Sequence, residues 1–298
     1  MSRVSAAIED RVREHVVALA GTIGERNVFR PKALAAASDY IETVFTRQGY
    51  RVERQTYAVH GMACANLEAT LTGRTKREQV LLLGAHYDSV AGSPGADDNA
   101  SGVAALLEIA ALFAATSPSL TVRFVAFVNE EPPFFMTRRQ GSIVYAEAAR
   151  ERGDDIRLMV SLEMLGCYFD TPGSQHYPPL LRWFYPDRGN FLALLSDFGS
   201  LSAARKMARV FRAHSDFPLE YAGLFRWFPG VAWSDHLSFW RQGYRAVMAT
   251  DTAFHRYVYY HTAEDTPDKV NMPKLAEATV ALYRCCAAIA EGGLDVLG

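Results

Sequence analysis

Ionisable side chains stand at the ends of three apolar segments that have the composition of buried β-strands. The segments read "VLLLGAHYDSV", "LTVRFVAFVNEE" and "IRLMVSLEML". A buried strand that ends this way either places a satisfied polar patch at a sheet edge or delivers these residues to a site. The residues are His86 and Asp88 in the first segment, Glu130 and Glu131 in the second, and Glu163 in the third.

Two loops carry the same residue types. The segment "PGADDNASG" contains Asp97 and Asp98, and the loop after the late strand "YRAVMATD" contains His255 and His261. Taken singly, each motif also fits a helix cap or a solvated strand end. Because the carboxyl ends of parallel strands share one edge of an α/β sheet, where ligands bind, we expect these residues to converge there.

The chemistry of these residues favours a metal site. Imidazole nitrogens and carboxylate oxygens suit zinc, and a catalytic zinc ion usually keeps three protein ligands and one open position. Two ions about 4 Å apart can share one carboxylate and hold both the attacking and the leaving group of a hydrolysis. Five ligands, one of them bridging, satisfy two ions, and one glutamate of the adjacent pair then remains free as a base.

The alternation of apolar segments with helical patterns predicts an α/β fold. We expect a single domain over residues 1–298, an α/β/α sandwich with a mixed, centrally parallel sheet flanked by helices. The segments "RVERQTYAV" and "ANLEATLTG" are interpreted as a hairpin, and "GRTKREQ" as a turn. Helices are expected over residues 5–20, 31–49, 101–115, 142–150, 190–199 and 201–214, after Ser234, and from Pro273 onward.

Composition gives no electrostatic argument for nucleic acid or an anionic membrane as a partner, since the net charge of the 298 residues is −2. The amino terminus is amphipathic, with no pattern of a signal peptide, and no segment reaches the ~18 apolar residues of a membrane span. A cytoplasmic location is therefore expected. The cysteines form no CxxC motif and are interpreted as reduced core thiols; they are Cys64, Cys167, Cys285 and Cys286.

Several motifs together resemble the co-catalytic di-zinc exopeptidases of the bacterial leucyl aminopeptidase and aminopeptidase Y type. They are "GAHYDS", "PGADDNASGVAALLEIA", "NEE" followed by "GS", "SLEM", "SDHLSFW" and "YYHTAEDTPD", over about residues 86–268. This superfamily includes glutaminyl cyclases and transferrin-receptor-like domains. The resemblance implies the zinc-exopeptidase fold and an aminopeptidase with two zinc ions per chain, which hydrolyses N-terminal residues of peptides.

The same resemblance implies a set of metal ligands. His86 and Glu163 would bind one zinc ion, and Glu131 and His261 would bind the other. Asp98 would bridge the two ions.

Roles for three further residues follow from the resemblance. Glu130 matches the general base, which takes a proton from the attacking water and passes it to the leaving amine. Asp88 would accept a hydrogen bond from the far nitrogen of His86. Tyr260 would donate to the developing oxyanion. The peptide bond before Asn99 is expected to be cis.

Residues 132–140 and 166–189 are longer or more elaborate than the family pattern. We predict that both segments lie over the metal edge and shape an apolar or restricted substrate pocket, although their aromatic residues could instead only pack the loops down. Asp235 and His236 are interpreted as structural, with Ser234 as the helix N-cap. The predicted pocket residues are Phe134, Phe135, Trp183 and Arg226.

Other functions remain open at this point. A glutaminyl-cyclase-like acyltransferase would need one zinc ion on Asp98, Glu131 and His261. A carboxypeptidase or another amidohydrolase would use the same metal site. A binding module without activity is disfavoured, because no metal ligand is missing. The expected partner is a peptide or a small amide, and the sequence does not determine the oligomeric state.

Overall fold

One mixed sheet of eight strands organises the chain in the computed structural model, which describes residues 3–178 and 181–292. The strands are β1 (Val52–Val59), β2 (Met62–Leu71), β3 (Lys76–His86), β4 (Leu120–Phe127), β5 (Asp155–Glu163), β6 (Leu192–Ser196), β7 (Leu219–Gly223) and β8 (Ala246–Thr250). Their order across the sheet is β1-β2-β4-β3-β5-β8-β6-β7.

The helices of the described residues connect and cover these strands. They are α1 (Arg3–Val16), α2 (Pro31–Arg47), α3 (Gly102–Ala114), α4 (Gly141–Arg152), α5 (Leu201–His214), α6 (His236–Arg241) and α7 (Met272–Gly292). A π-helical turn, Val17–Ile23, follows α1, and a second turn of that class, Ala96–Ser101, precedes α3 and is kinked, with non-helical dihedral angles at Asp98 and Asn99. Local sequence explains the ends: Pro31 opens α2 with its fixed φ, and Gly153 terminates α4 in the left-handed conformation.

The centre of the sheet is parallel and its flanks are mixed. Strands β4, β3, β5 and β8 run parallel, whereas the β1–β2 hairpin joins β4 antiparallel. Strand β6 is antiparallel to β8 and parallel to β7. The predicted fold class is confirmed, and four central strands place their carboxyl ends at one edge.

Helices pack on both faces of the sheet. One face contributes Leu83 and Phe124 to a core shared with α1, α2, α3, α5 and α7. On the other face, Phe127 contacts Tyr145 of α4 and Phe239 of α6, with ring centroids 5.7 and 6.1 Å apart. Since both faces of the central strands are buried, their sequences are mainly apolar rather than strictly alternating.

The structure differs from the predicted elements at three places. Residues 190–199, predicted as a helix, contain β6, because the short apolar run "FLALLS" suits either element and pairing with β8 decides between them. Part of "GRTKREQ" is strand, since β3 begins at Lys76. Strand β7 has no counterpart in the prediction; its five residues pair only with β6 at the sheet edge.

Other expectations are met. The four cysteines are free and buried. No helix in the part of the chain that the structure describes is long and apolar enough to cross a membrane.

The segment 166–189 contains a single 3-10 turn, Leu181–Trp183, in its described part, and its residues 179 and 180 lie outside the described residues.

Replacing Gly84 of β3 with alanine is expected to destabilise the strand that leads to His86. A Cβ at Gly84 would lie 2.3 Å from Cε2 of Phe127 in the buried core, so ring or strand must shift, at a cost of about 1–3 kcal/mol. Urea denaturation measures this change. The matched control is Gly21→Ala, whose Cβ would meet no atom closer than 3.5 Å and should leave stability unchanged or higher. Equal stability of Gly84→Ala and the wild type would contradict the expectation.

Candidate active site

The carboxyl edge of the central strands gathers the predicted metal ligands. His86 ends β3 and Glu163 ends the neighbouring β5. Asp98 lies in the π-helical turn before α3, and Glu131 lies in the loop after β4. His261 reaches the same place from the segment after β8, where its φ is 57°. The structure therefore brings together all five residues from five separate parts of the chain.

These five side chains form two trios that share Asp98. In the first trio, Nε2 of His86 lies 3.4 Å from Oδ1 of Asp98 and 3.5 Å from Oε2 of Glu163. In the second, Nε2 of His261 lies 3.2 Å from Oδ2 of Asp98 and 3.4 Å from Oε2 of Glu131. Within each trio the donor atoms all lie within 4.8 Å of one another. The two oxygens of Asp98 thus face different histidines, as those of a bridging carboxylate do.

The charges at this edge are unbalanced toward negative. Burial acts to raise the pKa of Asp98, but the imidazoles of His261 and His86 hold it below its usual value. Burial raises the pKa of Glu130 well above its usual value, and neighbouring carboxylates raise it further. Nε2 of His86 is buried without a hydrogen-bond partner. A bound cation would satisfy both this nitrogen and the surplus of carboxylates.

Asp88 contacts the main chain of the two adjacent glutamates and the ring of His86. Its carboxylate accepts the main-chain N–H groups of Glu130 and Glu131, each at 3.1 Å. Its contact with His86 differs from the prediction, since the main-chain carbonyl of Asp88 lies 3.2 Å from Nδ1 and the carboxylate lies 3.6 Å away. The carboxylate is already occupied by two amides. A proton on Nδ1 leaves Nε2 of a neutral ring free to act as a ligand.

Asp265 fixes the main chain that leads into the shared carboxylate. Its own carboxylate accepts the N–H groups of Asp97 and Asp98 at 2.8 and 3.2 Å, and the hydroxyl of Tyr257 at 2.7 Å. The peptide bond between Asp98 and Asn99 is cis, as the family resemblance implies. Asp265 belongs to the motif "YYHTAEDTPD" and is absent from the site residues predicted from the sequence.

Arg26 is a second positioning residue, and it is absent from the site residues predicted from the sequence. Its guanidinium is wholly buried and donates to the carbonyls of Tyr87 at 2.7 Å, Gly95 at 2.8 Å and Pro94. Burial lowers its pKa to about 10, so it stays charged at neutral pH. These bonds tie the end of β3 to the turn that carries Asp98. A single arginine in "GERNV" gives no local signal of this role.

Ser234 contacts the site instead of capping α6. Its hydroxyl donates to Oε2 of Glu163 at 2.6 Å, and α6 begins at His236 without a side-chain cap. Nε2 of His236 lies 2.8 Å from the carbonyl of Val231, and burial lowers the pKa of this imidazole to about 4. These contacts agree with a structural role for His236. Asp235 is buried beside it.

Tyr260 lies beside the second trio. Its ring stacks on that of His261, with centroids 3.8 Å apart. Burial raises the pKa of the Tyr260 hydroxyl, and the carboxylates of Asp98 and Glu131 raise it further. The hydroxyl therefore keeps its proton and can act as a hydrogen-bond donor.

A cavity of about 840 Å³, open to solvent, adjoins the trios and includes Glu163 in its lining. Its walls are mainly apolar and aromatic, which suits a small-molecule or side-chain pocket. His255, a candidate ligand in the sequence, lines this cavity and takes no part in the trios. The aromatic lining residues include Tyr177, Tyr185, Phe228, Trp233, Phe254 and Tyr260.

The four residues predicted for a substrate pocket do not line this cavity. Phe134 is buried in the main core, Phe135 is half-buried, and Trp183 is 72% exposed. Arg226 forms an ion pair with Asp197, with Nη2 and Oδ2 2.5 Å apart. Composition identifies an aromatic loop but does not determine which of its rings face inward, so the substrate pocket stays a prediction.

Comparison with known proteins assigns the family. The fold and the paired trios define an α/β protein with a metal-ligand site at the strand ends. The model of peptidase family M28 matches residues 66–284. The chain is 37% identical over 280 residues to the uncharacterized protein YfbL of Escherichia coli (strain K12), covering 91% of this chain and 85% of YfbL. The chain therefore belongs to peptidase family M28.

Solved structures share the fold at low sequence identity. The zinc aminopeptidase BSAP from Bacillus subtilis superposes with a TM-score of 0.74 at 14% identity, over 95% of both chains. The glutaminyl cyclase of Fimbriiglobus ruber superposes with a TM-score of 0.67 at 20% identity, over 93% of this chain and 94% of the cyclase. Two further relatives are longer proteins. The match spans 34% of a probable zinc metalloprotease of Pyricularia oryzae and 53% of the probable aminopeptidase YDR415C of Saccharomyces cerevisiae.

Chelation is expected to make stability depend on pH. Burial raises the pKa values of Glu130, Glu131 and Glu163, and that of Asp235 to about 7. The metal-free folded protein then holds protons that the unfolded chain has released, so its stability falls as the pH rises from about 5 to about 8. Thermal unfolding in EDTA across this range measures the effect, with metal-loaded protein as the control. A melting temperature in EDTA that stays constant or rises with increasing pH would contradict the expected effect of the buried carboxylates.

Proposed function

We propose that the chain is a zinc-dependent aminopeptidase, which hydrolyses the amide bond after the N-terminal residue of a peptide or of a related small amide. The observation that carries this proposal is the carboxylate of Asp98, shared between two trios of metal-type ligands. Glu130 stands beside them, with Oε2 3.9 Å from Nε2 of His86. Membership of a peptidase family supports amide hydrolysis, and the aminopeptidase that shares the fold supports zinc.

The residues present fit two zinc ions. One ion would be held by His86, Asp98 and Glu163, and the other by Asp98, Glu131 and His261. Each set combines one imidazole with two carboxylates and leaves room for a further ligand, which is typical of catalytic zinc. The unpartnered Nε2 of His86 supports this fit. When bound, the ions would lower the pKa of a water molecule and polarise the scissile carbonyl.

The protein's own groups would move the protons. Glu130 accepts a proton from the attacking water on its carboxylate and then gives it to the leaving amine. Burial raises the pKa of Glu130, which makes its ionised carboxylate a stronger proton acceptor. Asp88 holds the main chain of Glu130 in place through the N–H group. The hydroxyl of Tyr260 donates to the carbonyl oxygen as negative charge develops there.

A second candidate function uses one metal ion. The trio of Asp98, Glu131 and His261 is sufficient for a glutaminyl-cyclase-like acyltransferase, and a cyclase shares the fold. A carboxypeptidase or another amidohydrolase would use both trios. The number of bound metal ions and the products distinguish these functions.

Replacing His86 with alanine is expected to lower the zinc content from about two ions per chain to about one, because the first trio loses its nitrogen donor. Elemental analysis of protein purified without a histidine tag measures this. The matched control, His214→Ala, removes an exposed imidazole on α5 and should retain both ions. One ion in both the wild type and His86→Ala would support the cyclase instead, as would conversion of N-terminal glutamine without peptide cleavage.

Replacing Glu130 with glutamine is expected to lower kcat by a factor of about 10²–10⁴, with a smaller change in KM, because the proton acceptor is lost. The metal content should stay at the wild-type value. Steady-state hydrolysis of leucine p-nitroanilide provides the measurement. Glu147→Gln, at an exposed position of α4, is the control and should match the wild type. Near-normal kcat in Glu130→Gln would show that another group is the base.

A further inference from the structure

The floor of the aromatic cavity is a row of side chains across the sheet. Glu163 of β5 pairs in register with Thr250 of β8, Thr250 with Ala193 of β6, and Ala193 with Glu220 of β7. Since neighbouring strands lie about 4.8 Å apart, the ends of the row are separated by roughly 14 Å. All four residues line the cavity. A carboxylate of the metal site thus stands at one end, another carboxylate at the other, and two small residues between them.

The walls of this cavity suit a long side chain. Met248 and Leu195 continue the floor beside the row, and rings such as Tyr177, Tyr185 and Phe228 cover it from the loops. Apolar and aromatic walls accommodate an alkyl stem, and aromatic faces also attract cations. The described residues that line the cavity include no lysine or arginine. Its fixed charges are therefore negative.

Glu220 has no hydrogen-bond or ion-pair partner among the described residues. Its side chain is half-buried and makes no hydrogen bond or ion pair with any residue in the described part of the chain. Burial raises the pKa of Glu220, and the positive charge of Arg212 lowers it by a smaller amount. The guanidinium of Arg212 is engaged elsewhere, since it donates to the carbonyl of Leu219 at 2.8 Å and lies 5.7 Å from the ring centroid of Tyr221. A carboxylate in an apolar cavity without a partner costs free energy that a ligand cation would recover.

We propose that this cavity binds a long cationic side chain, that of arginine or lysine, with Glu220 as the acceptor for the cationic group. This inference rests on the proposed aminopeptidase function and names its substrate class. The residue before the scissile amide would place its alkyl stem over Ala193 and Thr250, and its charged end would reach Glu220. The aromatic rings above would enclose the stem.

Citrulline provides a sharp test, because it has nearly the shape of arginine without the charge. For the zinc-loaded wild type, kcat/KM for arginine p-nitroanilide is expected to exceed that for citrulline p-nitroanilide about tenfold or more, the effect of one charge-assisted hydrogen bond. In Glu220→Gln this ratio should fall to near one. The control Glu151→Gln, at an exposed position, should keep the wild-type ratio. Circular dichroism and thermal unfolding establish that the variants are folded.

A second measurement separates this inference from the proposed function. Calorimetry measures the binding of L-argininamide and L-citrullinamide to the zinc-loaded protein. Cleavage of both anilides with equal efficiency would overturn the cationic pocket and leave the aminopeptidase proposal standing. Preferential binding of L-argininamide without cleavage of any aminoacyl anilide would overturn the aminopeptidase proposal and support the pocket. Equal binding of the two amides would overturn the pocket in either case.

Discussion

The site depends on one constraint: the carboxylate of Asp98 must face two imidazoles at once. A small rotation of its main chain would break one of the two trios. The chain prevents this from three directions, through the carboxylate of Asp265, the buried guanidinium of Arg26, and the side chain of Asn99. Asn99 donates to the carbonyl of Leu162 at 2.9 Å, which ties the turn to the strand that ends in Glu163. Hydrogen bonds around the turn therefore set the position of this carboxylate between the two histidines.

Hydrogen bonds from neighbouring groups orient the remaining acids as well. The main-chain N–H of Val90 donates to Glu131, Ser234 donates to Glu163, and Asp88 accepts from the amides of both adjacent glutamates. In Glu131 the bond occupies Oε1 and Oε2 faces His261, whereas Oε2 of Glu163 both accepts from Ser234 and faces His86. Gathering several carboxylates in a buried place costs stability in the metal-free protein. Such local costs are common at functional sites, where binding recovers them.

The sequence predicts the parts of this arrangement that short motifs encode. Strand ends such as "GAHYDS" combine a buried run with ionisable residues, so the convergence of His86 and Glu163 follows from parallel strands alone. Arg26 and Asp265 were missed because their roles arise from tertiary contacts with the Asp98 turn. Ser234 was misassigned because the same residue type caps helices and donates to carboxylates. The lining of the cavity differs from the four predicted pocket residues, because composition does not determine which side chains of a loop face inward.

The position of β8 has a consequence for how such proteins can diverge. After β5 the chain leaves the centre, forms β6 and β7 at the far edge, and returns to insert β8 between β5 and β6. The excursion over residues 164–245 supplies much of the cavity, including Glu220, whereas the two trios and Glu130 come from before or after it. Insertions and substitutions in this one continuous stretch can therefore alter the cavity while the two trios and Glu130 stay unchanged. The contacts that such changes would have to preserve include the bond from Ser234 to Glu163 and that from the Met164 N–H to Asn99.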